Sequence, residues 1–119
     1  MTDSVQDDDS DEEQVPSGLD AVDDGDGTLV RMWGDVDASL RNQASAVMAK
    51  ALQHDGQVVV DASGVEFIDS TGLAFILQLL RAADEDGRRV VLRDPPALIL
   101  EMFDLLGIGG QVPLEFSPR

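Results

Sequence analysis

The chain has 119 residues, a formal net charge of −16 and no cysteine. This length suits one domain, and 43% apolar residues suffice for a single core, whereas the lack of cysteine excludes disulfides and thiolate metal sites. The negative charge argues against nucleic acid and anionic membranes as partners, because both are bound by basic surfaces.

The N-terminal segment carries most of the excess charge. Residues 1–27 hold 11 of the 24 acidic residues and no base, so the remainder has 13 acids, 8 bases and a net charge of −5. Residues 1–14 are acidic and lack aromatic side chains, which predicts a disordered acidic tail before a domain at residues 15–119. The chain shows neither a signal peptide nor a membrane span, so we expect it to be cytoplasmic.

The first predicted elements form a hairpin. Leu19, Ala21 and Val22 predict a short edge strand, Asp24-Gly25-Asp26-Gly27 predicts a turn, and residues 28–33 predict the next strand. The sequence therefore begins its ordered part with two neighbouring antiparallel strands.

A strand-ending turn and a helix are expected next. The turn is Gly34-Asp35-Val36-Asp37, in which Asp37 or the following Ser39 is predicted to cap a helix over residues 39–52. His54, the single histidine, follows this helix and is predicted to be a surface residue. The apolar stripe of the helix consists of Leu40, Ala44, Val47, Met48, Ala51 and Leu52.

Residues 58–80 form the centre of the predicted fold. The β-branched run Val58 to Val60, closed by Asp61, predicts a strand buried on both faces, and residues 62–64 are interpreted as a short connector. Ser70 then lies where the period changes from strand to helix. The predicted inner face of that helix is Leu73, Ile76, Leu77, Leu80 and Ala83, and the outer face is Gln78, Arg81, Asp84 and Glu85.

The last third of the chain continues the alternation of strands and helices. Residues 89–92 predict a strand, Pro95 and Pro96 begin a helix that Gly107 ends, and residues 112–116 predict a last short strand. The whole pattern predicts an α/β domain, with helices packed on a small mixed sheet of four or five strands. The residues expected to point inward from the last helix are Leu98, Ile99, Met102, Phe103 and Leu106.

The central segment also resembles a known family. Asp69-Ser70-Thr71-Gly72 matches the tetrapeptide Asp-Ser-Ser/Thr-Gly of the STAS domain and, more narrowly, of bacterial anti-sigma factor antagonists. In that family the serine after the aspartate is phosphorylated. The resemblance covers roughly residues 29–116. The residues that carry its signature are Asp61, Ser63, Val65, Phe67, Asp69, Ser70, Thr71, Gly72 and Leu73.

The resemblance implies a phosphorylation site at Ser70. Asp69, Thr71, Gly72, Asp61 and Ser63 would support that site. The segment over residues 34–37 is similar to the Gly-Glu-Leu-Asp segment of the family, which lies near the phosphoserine and contacts partners. Asp35 and Asp37 are therefore expected to bind a partner.

The resemblance also implies a partner switch. The unphosphorylated form would bind an anti-sigma factor that is a serine kinase of the histidine-kinase-like ATPase type, and this binding would free a sigma factor. Phosphorylation of Ser70 would end the binding, and a metal-dependent serine phosphatase would restore it. The chain would be a monomeric substrate rather than an enzyme, with no cofactor and no metal.

Two other interpretations stay open. From the residues alone, Ser70 is more readily explained as a helix cap than as a chemical site, which would suit a non-switching STAS scaffold in a larger signalling or transport assembly. An enzyme with a Ser70 nucleophile would need a base, but a G-x-S-x-G elbow is absent and His54 lies in another loop. A phosphate-binding G-x-x-x-x-G-K-S/T loop is absent as well.

Overall fold

A five-stranded mixed sheet forms the centre of the domain in the computed structural model, which describes residues 17–118. The strands lie side by side in chain order, with β1 antiparallel to β2 and every later pair parallel. The predicted α/β domain is confirmed, whereas the predicted acidic tail lies outside the described residues. The strands are β1 (Gly18–Asp24), β2 (Gly27–Val36), β3 (Val58–Ile68), β4 (Val90–Arg93) and β5 (Leu114–Glu115).

Three α-helices connect the parallel strands. They are α1 (Arg41–Leu52), which follows a 3-10 turn at Ala38–Leu40, then α2 (Ser70–Glu85) and α3 (Ala97–Leu105). Parallel crossovers are right-handed and here always step the same way across the sheet, so all three helices pack on one face. Within residues 17–118, no helix has the length and apolar character needed to cross a membrane.

The core lies between this helical face and the sheet. The predicted stripe of α1 is confirmed, since Leu40, Val47 and Ala51 are buried and the other three members are half-buried. On α2, Phe75 and Leu79 are also buried, although the predicted face omitted them, while Leu77 is only half-buried. The apolar face of α2 is therefore wider than predicted and rotated away from Leu77.

The last helix differs from its prediction at one end. Ile99 and Phe103 of α3 are fully buried, as expected, but Leu106 is 56% exposed. Leu106 follows the final helical residue, and Gly107 then turns the chain with a φ of +76°. Leu106 is the C-terminal cap of the helix, and its side chain does not belong to the core.

Both central strands are longer than the sequence predicted. The expected connector at residues 62–64 is wrong, because β3 continues through it and pairs Gly64 with Trp33 of β2. The expected turn at residues 34–37 is largely wrong too, because Gly34 to Val36 belong to β2. Gly34 has a φ of +73°, which glycine tolerates, and the register of the two strands shifts directly after it. A bulge thus replaces the predicted turn.

The opposite face of the sheet carries a row of alternating charges, which we call the charge row. Each member is paired in register with the next member on the neighbouring strand, and the two outer pairs form ion pairs: Arg31 Nη2 to Asp20 Oδ2 at 2.6 Å and Arg93 Nε to Glu115 Oε1 at 3.2 Å. The charge row, in strand order, is Asp20, Arg31, Asp61, Arg93 and Glu115.

A buried arginine joins the end of α1 to the start of β4. Arg88 is only 7% exposed, and its Nη1 donates to the Ala51 carbonyl at 2.7 Å, while its Nε donates to the Gly56 carbonyl at 2.8 Å. Carbonyls at the C-terminus of a helix lack intrahelical donors and carry partial negative charge. The guanidinium therefore supplies the donors that the end of α1 requires.

Candidate functional site

The start of α2 lies at the carboxyl edge of the two central strands. Val36 and Ile68 form the last pair between β2 and β3, and the Asp69 N–H donates to the Val36 carbonyl at 3.3 Å. The helix then begins at Ser70. Because β2 and β3 are parallel, the chain leaves both strands at the same edge, which brings the starts of α1 and α2 together.

Asp69 is the cap of α2. Its backbone is extended, and its Oδ1 accepts a hydrogen bond from the Gly72 N–H at 3.0 Å, as is typical of an N-cap aspartate. Ser70 is the first helical residue, and its side chain is exposed. Within residues 17–118, no protein group forms a hydrogen bond with the Ser70 hydroxyl. The interpretation of Ser70 as the cap is therefore wrong.

Gly72 lets α2 approach the sheet closely. A Cβ atom at this position would lie 2.8 Å from Ile68 Cγ1 and 2.9 Å from Val36 Cγ1, and it would also collide with the Val36 carbonyl oxygen. The close contact is made by the sheet beneath the helix. This packing fixes the height at which Ser70 stands above the strand ends.

A groove of about 610 Å³ runs between α1 and α2 and includes Ser70 and Thr71 in its lining. Small side chains leave the space between the facing helices unfilled, notably Ala44 on α1 and Ala74 on α2. The surfaces of the groove are mainly apolar, with contributions from Leu19, Leu40, Met48 and Phe75. A partner that enters this groove would lie against the exposed hydroxyl of Ser70.

The structure brings some of the predicted site residues together. Asp37, Thr71 and Gly72 line the same groove as Ser70. Oδ1 of Asp37 accepts from the Ser39 hydroxyl at 2.6 Å and from the Ser39 N–H at 3.0 Å, which confirms the predicted capping role of Asp37 at the 3-10 turn. These bonds, led by the one from the hydroxyl, lower the pKa of the Asp37 carboxyl. Asp37 is therefore an anion near neutral pH.

The other predicted residues lie away from the groove. Asp35 is exposed, and its N–H donates to the Ser17 hydroxyl at 2.9 Å. Asp61 Oδ1 accepts from the Ser63 N–H at 2.9 Å, so this pair stabilises the local backbone of β3. Asp61 also belongs to the charge row. Neither Asp61 nor Ser63 lines the groove around Ser70.

Sequence reasoning missed several groove residues, of which Arg41 is the most informative. In the part of the chain that the structure describes, Arg41 is the only base in the lining and Asp37 is the only acid. Within residues 17–118 its exposed guanidinium forms no ion pair. Its place at the start of α1 was a usable signal, because α1 and α2 begin beside adjacent parallel strands.

The chemistry available at the site is that of an accessible hydroxyl. The histidine His54 lies beside Asp23 of β1, with Nε2 at 3.7 Å from Asp23 Oδ1, and is not part of the groove. In the described part of the chain, no cluster of three His, Cys, Asp or Glu residues is placed to hold a metal ion. Within residues 17–118, the Ser70 hydroxyl is therefore exposed beside the groove and has no histidine next to it.

The fold is shared with several solved structures. The anti-sigma factor antagonist SpoIIAA in its unphosphorylated form has a TM-score of 0.67 and 16% identity, over 87% of this chain and 90% of that one. Phosphorylated SpoIIAA from Bacillus gives 0.67 and 18%, over 87% and 93% of the chains. A putative anti-sigma factor antagonist from Thermotoga maritima gives 0.60 and 18%, over 89% and 88%. At such identities these similarities concern the fold.

A family model extends the comparison to the sequence itself. The model described as "Mlab, STAS domain" matches residues 20–115, which is most of the chain and includes every strand and helix from β2 to β5. The match also contains Ser70 and all the residues that line the groove except Leu19. The chain therefore belongs to the STAS domain family.

Proposed function

We propose that this protein is an anti-sigma factor antagonist whose partner binding is switched by phosphorylation of Ser70. The unphosphorylated form binds an anti-sigma factor serine kinase and so releases a sigma factor. The kinase then phosphorylates Ser70, the complex dissociates, and a serine phosphatase of the metal-dependent class restores the binding form. The chain is the substrate in this cycle and not an enzyme, and the cycle places it in the cytoplasm.

The observation that carries the proposal is the division of roles between Asp69 and Ser70. The carboxylate of Asp69 already caps α2, so the fold does not depend on the Ser70 hydroxyl. That hydroxyl is exposed beside a groove large enough to receive side chains of a partner. The similarity of the fold to SpoIIAA, which has been solved in unphosphorylated and phosphorylated forms, supports the same conclusion.

The energetics of such a switch are modest. Phosphoserine adds about −1.5 to −2 charges at neutral pH. To weaken a complex a hundredfold, this charge must cost it about 2.7 kcal/mol. A partner surface that covers the groove removes water from Ser70 and from the nearby Asp37, which strengthens repulsion between the phosphate and that carboxylate. This repulsion favours exclusion by charge, which requires no refolding of the domain.

Tagged variants expressed in the native host test this proposal. We expect Ser70→Ala to retain an ATPase-type kinase that mass spectrometry identifies, Ser70→Asp to lose it, and Thr71→Ala to behave as the wild type. The purified kinase should bind the phosphorylated protein at least tenfold more weakly than the unphosphorylated one. Phosphorylated Ser70 should also be found in peptides of the wild-type protein.

The competing function is a STAS scaffold that does not switch. It is favoured by the matching family model, whose description names Mlab and not an anti-sigma factor antagonist. Equal recovery of one multiprotein assembly by Ser70→Ala and Ser70→Asp, with no phosphate at residue 70, would establish the scaffold and contradict the switch.

A further inference from the structure

We propose that Arg41 holds the phosphoryl group of phosphorylated Ser70, so that the modified side chain lies across the opening of the groove. This inference rests on the proposed function, because it concerns the phosphorylated form of the same site. It assigns to the start of α1 a role in the regulation of α2.

The first argument is position. The pairing of Val36 with Ile68 sets the ends of β2 and β3 side by side, and adjacent strands lie about 4.8 Å apart. Arg41 follows the first strand end by five residues, and Ser70 follows the second by two. The helices that begin there contact each other, and packed helices lie about 8–10 Å apart. An arginine and a phosphoserine that line the same groove can span such a distance.

The second argument is charge. Among residues 17–118, Arg41 is the only base that lines the groove, and three other arginines are engaged elsewhere: Arg31 and Arg93 in the charge row and Arg88 inside the core. Two carboxylates belong to the surroundings of residue 70, that of its chain neighbour Asp69 and that of Asp37, which lines the same groove. Asp37 is bound by Ser39, and Asp69 is bound by the Gly72 N–H. A phosphate between these carboxylates would therefore find its counter-charge on Arg41.

The third argument is the geometry with which a guanidinium binds a phosphate. A guanidinium presents paired N–H donors that match two oxygens of a phosphate, and such bonds are stronger than those between neutral groups. A phosphate drawn toward α1 would lie over the end of the groove that Ser70 and Thr71 line. Phosphorylation would then obstruct the groove sterically and also repel an acidic partner surface.

A titration of the phosphate tests the pairing without any kinase. Phosphoserine is encoded genetically at residue 70 in the wild-type, Arg41→Gln and Arg81→Gln chains, and the second pKa of the phosphate is followed by phosphorus NMR. Arg81 is the matched control, because it is an exposed base on the outer face of α2 that does not line the groove. Unphosphorylated Arg41→Gln should unfold at the wild-type temperature, since Arg41 is exposed.

We expect Arg41→Gln to raise the phosphate pKa by about 0.3 to 0.7 of a unit, since a nearby cation favours the dianion. Arg81→Gln should leave the phosphate pKa within about 0.1 of a unit of the wild-type value. Arg41→Lys should raise it less than Arg41→Gln does, because lysine keeps the positive charge. Equal shifts in Arg41→Gln and Arg81→Gln, or no shift in either, would overturn the proposal. If the host never phosphorylates Ser70, the proposed switch fails while this titration still decides the role of Arg41.

Discussion

Gly72 of α2 lies so close to Ile68 of β3 that an added Cβ would stand 2.8 Å from Ile68 Cγ1. The same Cβ would meet the backbone of Val36, which cannot move without disturbing the sheet. The helix and the strand therefore meet at a position where only the hydrogen side chain of glycine fits. This contact sets the height of Ser70 above the edge of the sheet.

Gly72→Ala is predicted to destabilise the domain by about 1–3 kcal/mol, because overpacking outweighs the roughly 1 kcal/mol that alanine gains as a helix former. Urea unfolding followed by circular dichroism measures the change. Gly110→Ala is the matched control, since nothing lies within 4 Å of its added Cβ, and it should change stability by less than about 0.5 kcal/mol. A neutral Gly72→Ala would show that α2 can shift away from the sheet.

Asp69→Ala is predicted to cost about 1 kcal/mol in the free energy of unfolding, since it removes the side-chain oxygen that accepts from the Gly72 N–H. Ser70→Ala should cost less than about 0.5 kcal/mol, because the Ser70 side chain is exposed and does not cap the helix. Asp69→Asn should retain most of the stability. If Ser70→Ala lowers the free energy of unfolding as much as Asp69→Ala in denaturant titrations, the Ser70 hydroxyl also stabilises the start of α2, and the assignment of the cap to Asp69 alone is incorrect.

Arg88→Ala is predicted to destabilise the domain by about 2–4 kcal/mol, since it leaves the buried Ala51 carbonyl and the part-buried Gly56 carbonyl without their donors. Arg89→Ala removes the same charge from an exposed neighbour and should stay within about 0.5 kcal/mol of the wild type. Thermal unfolding of both variants distinguishes the loss of the Arg88 hydrogen bonds from the loss of one positive charge. Equal losses would indicate that net charge, and not the cap on α1, governs the effect.

The ion pair between Asp20 and Arg31 predicts a pH dependence of stability. Its side-chain hydrogen bonds lower the pKa of Asp20 from the usual 3.8, so the folded state favours the carboxylate. The contribution is present above pH 3.8 and is lost as the pH falls through the lower folded pKa. The melting temperature of Asp20→Asn should therefore lie below that of the wild type at neutral pH, and the difference should shrink in acid.

Asp24→Asn serves as the control for that experiment, because Asp24 is an exposed aspartate on the same strand with no ion pair among the described residues. Its melting temperature should stay close to that of the wild type at each pH. A difference for Asp20→Asn that persists unchanged in strong acid would mean that Asp20 stabilises β1 by packing or hydrogen bonding of its neutral form.

The order of elements was predictable because it depends on local periodicity. The run Val58 to Val60 and the amphipathic spacing after Leu73 identify a buried strand and the following helix from residues close in sequence. The place of Ser70 at their junction follows directly. The hairpin of β1 and β2 was predictable from another local signal, the turn sequence of residues 24–27. These features need no knowledge of which strands become neighbours.

The missed features depend on contacts between distant segments. Glycine is usually a turn residue, and only the pairing of Gly34 beside β3 reveals that it forms a bulge inside β2. The choice of Asp69 over Ser70 as the cap depends on where the helix starts relative to Val36. Arg41 is assigned to the site only when α1 and α2 are placed together.

The charge row has a consequence for how the strands align. The alternation of apolar and polar residues fixes which side of a strand faces the core. It does not fix the register between neighbouring strands, because a shift of two residues keeps the same side inward. Such a slip between β3 and β4 would set Asp61 opposite Val91, so that Arg93 would face an anion only on β5, at Glu115. The opposite charges on successive strands thus favour the observed register over one that is shifted by two residues.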